Sequence, residues 1–216
     1  MLELAGCIVT LDALGTQREI VQTIVEQGAD YVLALKENQG HLYADVQATF
    51  EEALAHQFEH VPHTYHKTVQ KGHGRLEIRE GWAIDRPDYL EALRDWAQWS
   101  HLRSVVMLRA ERRIGDQVSV TRRFYISSLP GQAEPLLTAI RCHWGIENQL
   151  HWCLDIAFRE DDSRVRKGDG AQNFSVLRRL ALNLLKRERT AKIGLKAKRL
   201  KAGWDDAYLL RALAGV

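Results

Sequence analysis

The segment from residue 6 to residue 40 changes its hydrophobic period twice, and this pattern restricts the folds open to the chain. It reads GCIVTLDALGTQREIVQTIVEQGADYVLALKENQG. Residues 7–11 and 31–35 predict two buried strands, and the apolar positions within residues 20–25 predict a helix that ends at Gly28. A right-handed crossover makes such strands parallel neighbours. We therefore predict an α/β fold in which Asp12 and residues 36–39 share the carboxyl edge of a sheet, where ligands bind in open α/β folds.

The start of the first predicted helix carries a capping signal. Thr16 is followed three residues later by Glu19, which is the spacing of a capping box. The sequence therefore predicts that the Thr16 side chain caps this helix.

The middle of the chain changes to a β pattern. Residues 41–57 predict an amphipathic helix, and after Pro62 residues 75–84 alternate between apolar and polar side chains, as a half-exposed strand does. A short helix is predicted at about residues 87–99. Gly115 and Asp116 then separate two further β segments and predict a hairpin. We interpret residues 61–130 as a β-rich insertion that follows an α/β part at residues 1–60.

Helical periodicity returns after residue 133. Residues 134–158 and 172–187 predict two long helices, and each has one apolar stripe that is predicted to face inward. The first stripe contains Ile146, Leu150, Cys153, Leu154 and Ala157. The second contains Phe174, Leu177, Leu180, Ala181, Leu184 and Leu185. Residues 131–190 are therefore expected to be helices of the core, and residues 191–216 a basic tail with a final helix.

The composition predicts a folded protein of the cytoplasm. Of the 216 residues, 45% are hydrophobic, which is enough for a substantial core. The three cysteines have no C-x-x-C spacing, so neither a disulfide framework nor a cysteine zinc site is favoured. There is no signal-peptide pattern at the start and no run of 18 apolar residues, so we expect neither secretion nor a membrane partner.

Positive charge is concentrated in the second half of the chain. The net charge is +2 overall, but residues 1–60 hold 2 basic and 10 acidic side chains, whereas residues 131–216 hold 16 and 10. Between residues 178 and 201, ten basic residues accompany one acid, Glu188. Such a run is typical of a surface that binds polyanions, and also of a solvated helix face.

Two acids are candidate metal ligands. Asp12 ends the first predicted strand, and Glu147 lies at the margin of the apolar stripe in HWGIENQLHWCLDIAFRED, where a carboxylate is costly unless a cation or hydrogen bonds compensate it. Carboxylate oxygens are the ligands that Mg²⁺ prefers. The alternative for Asp12 is that it caps a turn.

Two groups of basic residues are candidate phosphate ligands. Arg75 and Arg79 share the polar face of GHGRLEIR, where they could bind phosphate or pair with Glu77 and Glu80. The segment REDDSRVRKGDG contains a compact cationic group, namely Arg164, Arg166 and Lys167, within what is otherwise a solvated loop.

Several blocks, taken in order, resemble the DDE-type transposases of bacterial insertion sequences, and among them the H-repeat-associated transposases. The blocks are IVTLDALGTQREI, GADYVLALKENQ, GHGRLEIR, FYISSL and HWGIENQLHWCLDIAFREDDSRVRKGDGAQNFSVLRRLALNLLK. The resemblance implies an RNase H-like core divided by the β-rich insertion, with Asp12 as the second catalytic Asp and Glu147 as the catalytic Glu. It also implies Mg²⁺ or Mn²⁺ as cofactor.

The same resemblance implies partners and a reaction. Duplex DNA of element ends and target is cut in a metal-dependent step, and the freed 3′-hydroxyl attacks the target. A homodimer and a nucleoid-associated location are expected. Related transposases surround the Glu with Tyr, Arg and Lys at fixed spacings, and here Ile140, His143 and Leu154 occupy those positions. Only His143 is suited to replace a phosphate donor.

One element of the family pattern is missing at the front of the chain. The first catalytic Asp of the family lies on an earlier strand, and the only acid before Asp12 is Glu3. We therefore expect a truncated copy with an incomplete triad that cannot transpose unaided. One alternative is an inactive DNA-binding remnant. Another is an unrelated metal-dependent nuclease that recruits a further carboxylate from Asp30, Glu37 or Asp155.

Overall fold

The structure is a computed structural model that describes residues 3–72 and 74–215, with the side chains of residues 147 and 148 outside the description. Its strands are β1 (Ile8–Leu11), β2 (Asp30–Leu35), β3 (Thr64–Gly72), β4 (Arg75–Ile84), β5 (Ser104–Ile114) and β6 (Gln117–Ser127). Its helices are α1 (Arg18–Glu26), α2 (Gly40–Ala55), α3 (Pro87–Glu91), α4 (Ala133–Ile146), α5 (Trp152–Phe158), α6 (Gly170–Arg187), α7 (Leu195–Ala202) and α8 (Asp206–Ala214). No helix within the described ranges has both the length and the apolar character needed to cross a membrane.

All six strands form one sheet in the order β1-β2-β6-β5-β4-β3. β1 and β2 are parallel, with Leu11 opposite Leu33, as the strand-helix-strand pattern predicted. The other pairs are antiparallel, and β6 lies directly against β2. The β-rich segment therefore extends the same sheet that carries Asp12. The predicted hairpin at Gly115 and Asp116 is confirmed, because Ile114 pairs with Gln117.

Helices cover both faces of the sheet in the first of two compact units, residues 1–143. On one face, side chains of α1 and α2 such as Val21, Val46 and Phe50 pack against the sheet in one core cluster. On the other face, α4 contributes Leu136 and Leu137 to a second cluster. β4 places Gly81 beneath α4, where an added Cβ would lie 2.1 Å from a Leu137 methyl carbon. Glycine is required here by the close approach of helix and sheet.

The predicted start of α1 was wrong. The N-cap residue is Gln17, and it forms no capping hydrogen bond with its side chain. Thr16 is completely buried, and its hydroxyl contacts the backbone oxygen of Ala34 at 2.7 Å. The Thr16 hydroxyl therefore bonds to the backbone of β2 and not to the start of α1, where the capping-box spacing predicted it. The predicted helix at residues 87–99 is also shorter, because α3 ends at Glu91 and a separate 3-10 turn follows at Trp96–Gln98.

The second unit, residues 144–216, is helical and has a small core in which Leu185, Tyr208 and Ala212 are buried. The stripe predicted for α6 is partly wrong. Leu185 is buried as predicted, but Phe174, Leu177 and Leu180 are about half exposed. Because α6 carries apolar residues on more than one side, periodicity alone did not identify the side that packs.

The stripe predicted for residues 134–158 is also divided. Leu154 and Ala157 are buried, whereas Ile146 is 47% exposed. Between α4 and α5 the backbone forms a π-helix at Glu147–His151. A π turn contains more residues than an α turn, so it shifts the phase of every later residue. A rotation of 100° per residue through the whole segment therefore could not assign both ends of the apolar stripe to the buried side.

Candidate active site

Asp12 lies directly after the carboxyl end of β1 and is exposed. Its Oδ1 accepts hydrogen bonds from the backbone N–H groups of Leu14, at 3.1 Å, and Gly15, at 3.2 Å. The carboxylate therefore caps the 3-10 turn at Ala13–Gly15, which was the alternative to a metal role. No hydrogen bond engages Oδ2 among the residues that the structure describes, so one oxygen remains available to a ligand.

The turn that carries Asp12 is held by the residues that follow β2. Asn38 donates from Nδ2 to the backbone oxygen of Ala13 at 2.7 Å, and Gln39 donates from Nε2 to that of Thr16 at 2.8 Å. The prediction that Asp12 and residues 36–39 emerge together is confirmed. These amides fix the backbone around the carboxylate. Sequence reasoning located this segment but missed the positioning roles of Asn38 and Gln39, because both contacts span more than 20 residues.

His143, near the end of α4, approaches the same edge. Its Nδ1 lies 3.1 Å from the Thr10 hydroxyl on β1. Thr10 and Asp12 are two residues apart in extended backbone, so their side chains point to the same face of the sheet. Because Nδ1 makes this contact, Nε2 is the ring nitrogen that could donate a hydrogen bond to a phosphate.

Glu147 is the first residue of the π-helix, four residues after His143. It belongs to the second unit, and its side chain is outside the described part of the chain. Its role as a metal ligand therefore stays a prediction. π-helical turns occur frequently at functional sites.

Arg75 and Arg79 are ion-paired in the structure. Both contact Glu77, Arg75 through Nε at 3.0 Å. Glu80 instead pairs with Lys67 at 3.2 Å and with Arg109 at 2.7 Å. The pairing that the sequence offered as the alternative to phosphate binding is thus formed with Glu77 and not with Glu80. An open cavity of about 370 Å³ lies beside Arg75 and is lined by Gln70, Lys71, Gly72, Arg75 and Glu77.

Arg164, Arg166 and Lys167 are exposed in the loop between α5 and α6. Arg166 donates to the backbone oxygen of Val165 at 3.0 Å. Within the described part of the chain these three side chains form no ion pair, although Asp161 and Asp162 lie nearby in sequence. Their charges are available to a partner.

The structure excludes Asp30 as an additional metal ligand beside Asp12. Asp30 pairs with Ile8 at the opposite end of the parallel strands from Asp12, roughly 13 Å away at 3.3 Å per residue. It accepts a hydrogen bond from the Ser128 hydroxyl at 2.7 Å. Glu37, in contrast, is exposed in the 3-10 turn at the carboxyl edge. Among the side chains described, no three His, Cys, Asp or Glu residues are grouped to hold a metal ion.

Comparison with known proteins identifies the family. The sequence model of the transposase DDE domain matches residues 1–184, which is most of the chain. The chain belongs to the DDE transposase family. The resemblance read from the sequence blocks is therefore confirmed at the level of the family.

Three relatives of this DDE transposase chain match along almost its entire length. It is 39% identical to "Putative protein YbfL" and 38% identical to "H repeat-associated putative transposase YhhI", both of Escherichia coli (strain K12), over 100% of the chain and 57% of each relative. It is 34% identical to "Putative transposase YncI" of Escherichia coli O157:H7, over 99% of the chain and 54% of that relative. The chain thus spans little more than half the length of these relatives.

Proposed function

We propose that this chain is the part of a DDE transposase that carries the second Asp and the Glu of the catalytic triad, Asp12 and Glu147, within an RNase H-like core. The observation that carries the proposal is the position of Asp12. It follows a strand of a parallel pair, at the sheet edge where α/β folds bind ligands, in a chain of the DDE family. The reaction proposed is metal-dependent cleavage of insertion-sequence DNA followed by strand transfer.

The covalent chain supports the pairing of Asp12 with Glu147. His143 contacts Thr10, two residues before Asp12. Glu147 follows His143 by four residues, and four residues span at most about 14 Å even when fully extended. The backbone of Glu147 therefore lies within about 14 Å of that of His143.

The residues present fit a divalent cation of the Mg²⁺ or Mn²⁺ type. Asp12 offers a carboxylate oxygen without a hydrogen bond, and Glu147 and the exposed Glu37 are further oxygen donors of the kind these ions bind. When bound, such an ion activates a nucleophile and stabilises the leaving oxygen in phosphoryl transfer. Asp12 holds one oxygen fixed by the backbone of its turn, and Asn38 and Gln39 keep that turn in place.

The proposed partner is duplex DNA, in the cytoplasm and associated with the nucleoid, with a homodimer as the assembly. The exposed group of Arg164, Arg166 and Lys167 has the chemistry of a phosphate-binding surface. Arg75 and Arg79 can exchange the single carboxylate of Glu77 for phosphate oxygens. His143 offers Nε2.

Binding of the purified chain to a 30-base-pair duplex, measured by fluorescence anisotropy across a salt series, tests the proposal. We expect log K to fall steeply with log[salt], by about 0.9 for each phosphate contacted. Replacing Arg164, Arg166 and Lys167 with glutamine is expected to reduce this slope by about 3. Binding that is weak and independent of salt in the unaltered chain would contradict the proposed function.

The second candidate function is DNA binding without catalysis, which is favoured by the exposed cationic group of Arg164, Arg166 and Lys167. We expect the purified chain with Mg²⁺ or Mn²⁺ to leave a supercoiled plasmid intact. Nicking that disappears in Asp12→Asn would show instead that the residues present complete a working site.

A further inference from the structure

The sheet is most exposed where β5 and β6 meet at their hairpin. Side chains of β5 are buried from Ser104 to Leu108 and exposed from Arg112 to Ile114, and those of β6 are exposed from Gln117 to Arg123. We call this part of the sheet, residues 66–72, 75–79 and 109–123, the β arm. Its most accessible residues are those at the hairpin, Arg112–Ile114 and Gln117–Arg123, which alternate between the two faces of the sheet.

The pairing register assigns each side chain of the β arm to a face. Leu108 packs in the cluster under α4 and Met107 in the cluster on the opposite face. Since successive side chains of a strand alternate, Arg112 points to the α4 side and Arg113 to the opposite side. Arg123 pairs with Leu108, so it shares the α4 side, and Arg122 lies on the opposite side. On β4, Arg79 shares the α4 side with Gly81.

The α4-side face of the β arm is mainly polar and cationic, although Ile114 is 48% exposed on it. Its charged residues are Arg75, Glu77, Arg79, Arg112 and Arg123. Arg141 of α4 joins this face by donating to Gln70 at 2.8 Å. Five guanidinium groups therefore accompany one carboxylate, and the uncharged positions include Thr68, Gln70, Ser119 and Thr121. Arginine, serine, threonine and glutamine are among the side chains that contact phosphate oxygens in protein–DNA complexes.

The opposite face has a different chemistry. Val69 and Val118 are each 58% exposed there. Its carboxylates, Glu80 and Glu111, already hold cations: Arg109 bridges both, at 2.7 and 2.8 Å, and Arg113 contacts Glu111. This face also carries five cations, namely Lys67, Lys71, Arg109, Arg113 and Arg122. Three of them, Lys67, Arg109 and Arg113, are ion-paired with the two carboxylates, and the exposed valines offer phosphate oxygens no hydrogen bond. The two faces are therefore not equivalent for a polyanion.

We propose that the α4-side face of the β arm binds the sugar–phosphate backbone of duplex DNA, with Arg112, Arg123 and Arg141 as ligands beside Arg75 and Arg79. The inference rests on the proposed function for the identity of the polyanion and deepens it by naming the surface. Arg112 and Arg123 are exposed on neighbouring strands, and planar guanidinium groups match phosphate oxygens in pairs. Sequence patterns did not single out any of these three residues.

Adjacent arginines provide a matched test. Arg112→Gln/Arg123→Gln removes two charges from the α4 side, and Arg113→Gln/Arg122→Gln removes two charges from the next positions along the same strands but on the opposite side. Binding of both variants to a 30-base-pair duplex is measured by anisotropy across a salt series. We expect the first variant to lose about tenfold or more in affinity and about 2 in salt slope. The second is expected to change affinity less than twofold.

The outcomes separate this inference from the proposed function. If the unaltered chain binds the duplex but the first variant loses no more affinity than the second, the α4-side face is not the binding surface. In that case only the inference fails. If the unaltered chain does not bind at all, the proposed function fails with it. Circular dichroism of both variants checks that the fold is retained, and Arg141→Gln, outside the sheet, gives a second test of the same face.

Discussion

Replacing Gly81 with valine is expected to destabilise the first unit by about 3 kcal/mol, because core overpacking of this kind costs 1 to 3 kcal/mol and occasionally more. A Cβ at this position would lie 2.1, 2.7 and 2.8 Å from three carbon atoms of the Leu137 side chain. Leu137 is itself only 7% exposed, so it has little space into which it can move. Helix α4 must then shift away from the sheet. Chemical denaturation monitored by circular dichroism measures the loss.

A second substitution distinguishes this clash from a loss of strand pairing. Gly81→Ala alone should cost about 1 to 3 kcal/mol. In the Gly81→Ala/Leu137→Ala double variant, the total cost should be smaller than the sum of the two single costs, because the shortened side chain makes room for the new methyl group. Strictly additive costs would show that the two residues do not meet.

Replacing Glu188 with alanine is expected to disorder the packing of α6, α7 and α8. Glu188 is completely buried, and its carboxylate accepts from the Tyr208 hydroxyl at 2.8 Å and pairs with Lys198 at 3.3 Å. Thr190 donates to it through both its backbone N–H, at 2.6 Å, and its hydroxyl. Removing the carboxylate leaves these donors without their acceptor, which is more costly than losing a hydrogen bond at the surface.

The expected result is a decrease in Tm on the order of 10 °C, together with faster hydrogen exchange of the amides from residue 182 to residue 212. Lys186→Ala is the control, because this lysine is exposed two residues before Glu188 and, among the described residues, bonds only to the backbone oxygen of Gln149. Unchanged exchange in the Glu188 variant would show that the cluster does not hold the helices together.

The same carboxylate makes stability depend on pH. Hydrogen bonds from Thr190, Tyr208 and Lys198 lower the pKa of Glu188 to about 2, from an ordinary value of 4.5. A carboxyl group whose pKa is lower in the folded state stabilises that state fully above pH 4.5, and this contribution is lost as the pH falls towards 2. The Tm difference between the unaltered chain and Glu188→Gln should therefore be largest near neutral pH and shrink below pH 4.5.

The parts of the fold that the sequence predicted are those encoded by local patterns. The strand, helix and strand of residues 7–35 and the hairpin at Gly115 and Asp116 each follow from periodicity and turn residues within one short window. The position of β6 beside β2 could not be predicted in this way, because that pairing joins residues 89 to 95 positions apart and depends on which strand edge is left open.

The candidate site shows the same division. Asp12 could be located because a strand ends at it, and the alternative roles of Arg75 and Arg79 could be stated because Glu77 is their neighbour. The sequence could not predict the hydrogen bonds that Thr16, Asn38 and Gln39 donate to backbone oxygens. These contacts depend on the tertiary placement of β2. The π turn at Glu147 could not be predicted from the spacing of apolar residues. It changed which later residues lie on the buried side of the helix.

Iron-directed cleavage of the polypeptide tests most directly whether Asp12 and Glu147 share one divalent ion. With Fe²⁺, ascorbate and peroxide, hydroxyl radicals cut the backbone beside the bound ion, and mass spectrometry locates the cuts. We predict cuts near residue 12 and near residue 147 together, both suppressed by excess Mg²⁺ and both lost in Asp12→Asn. Both cuts should be retained in the control Glu52→Gln, which alters an exposed acid of α2. Cuts near only one of the two positions, or a cut near residue 147 that persists in Asp12→Asn, would contradict this prediction.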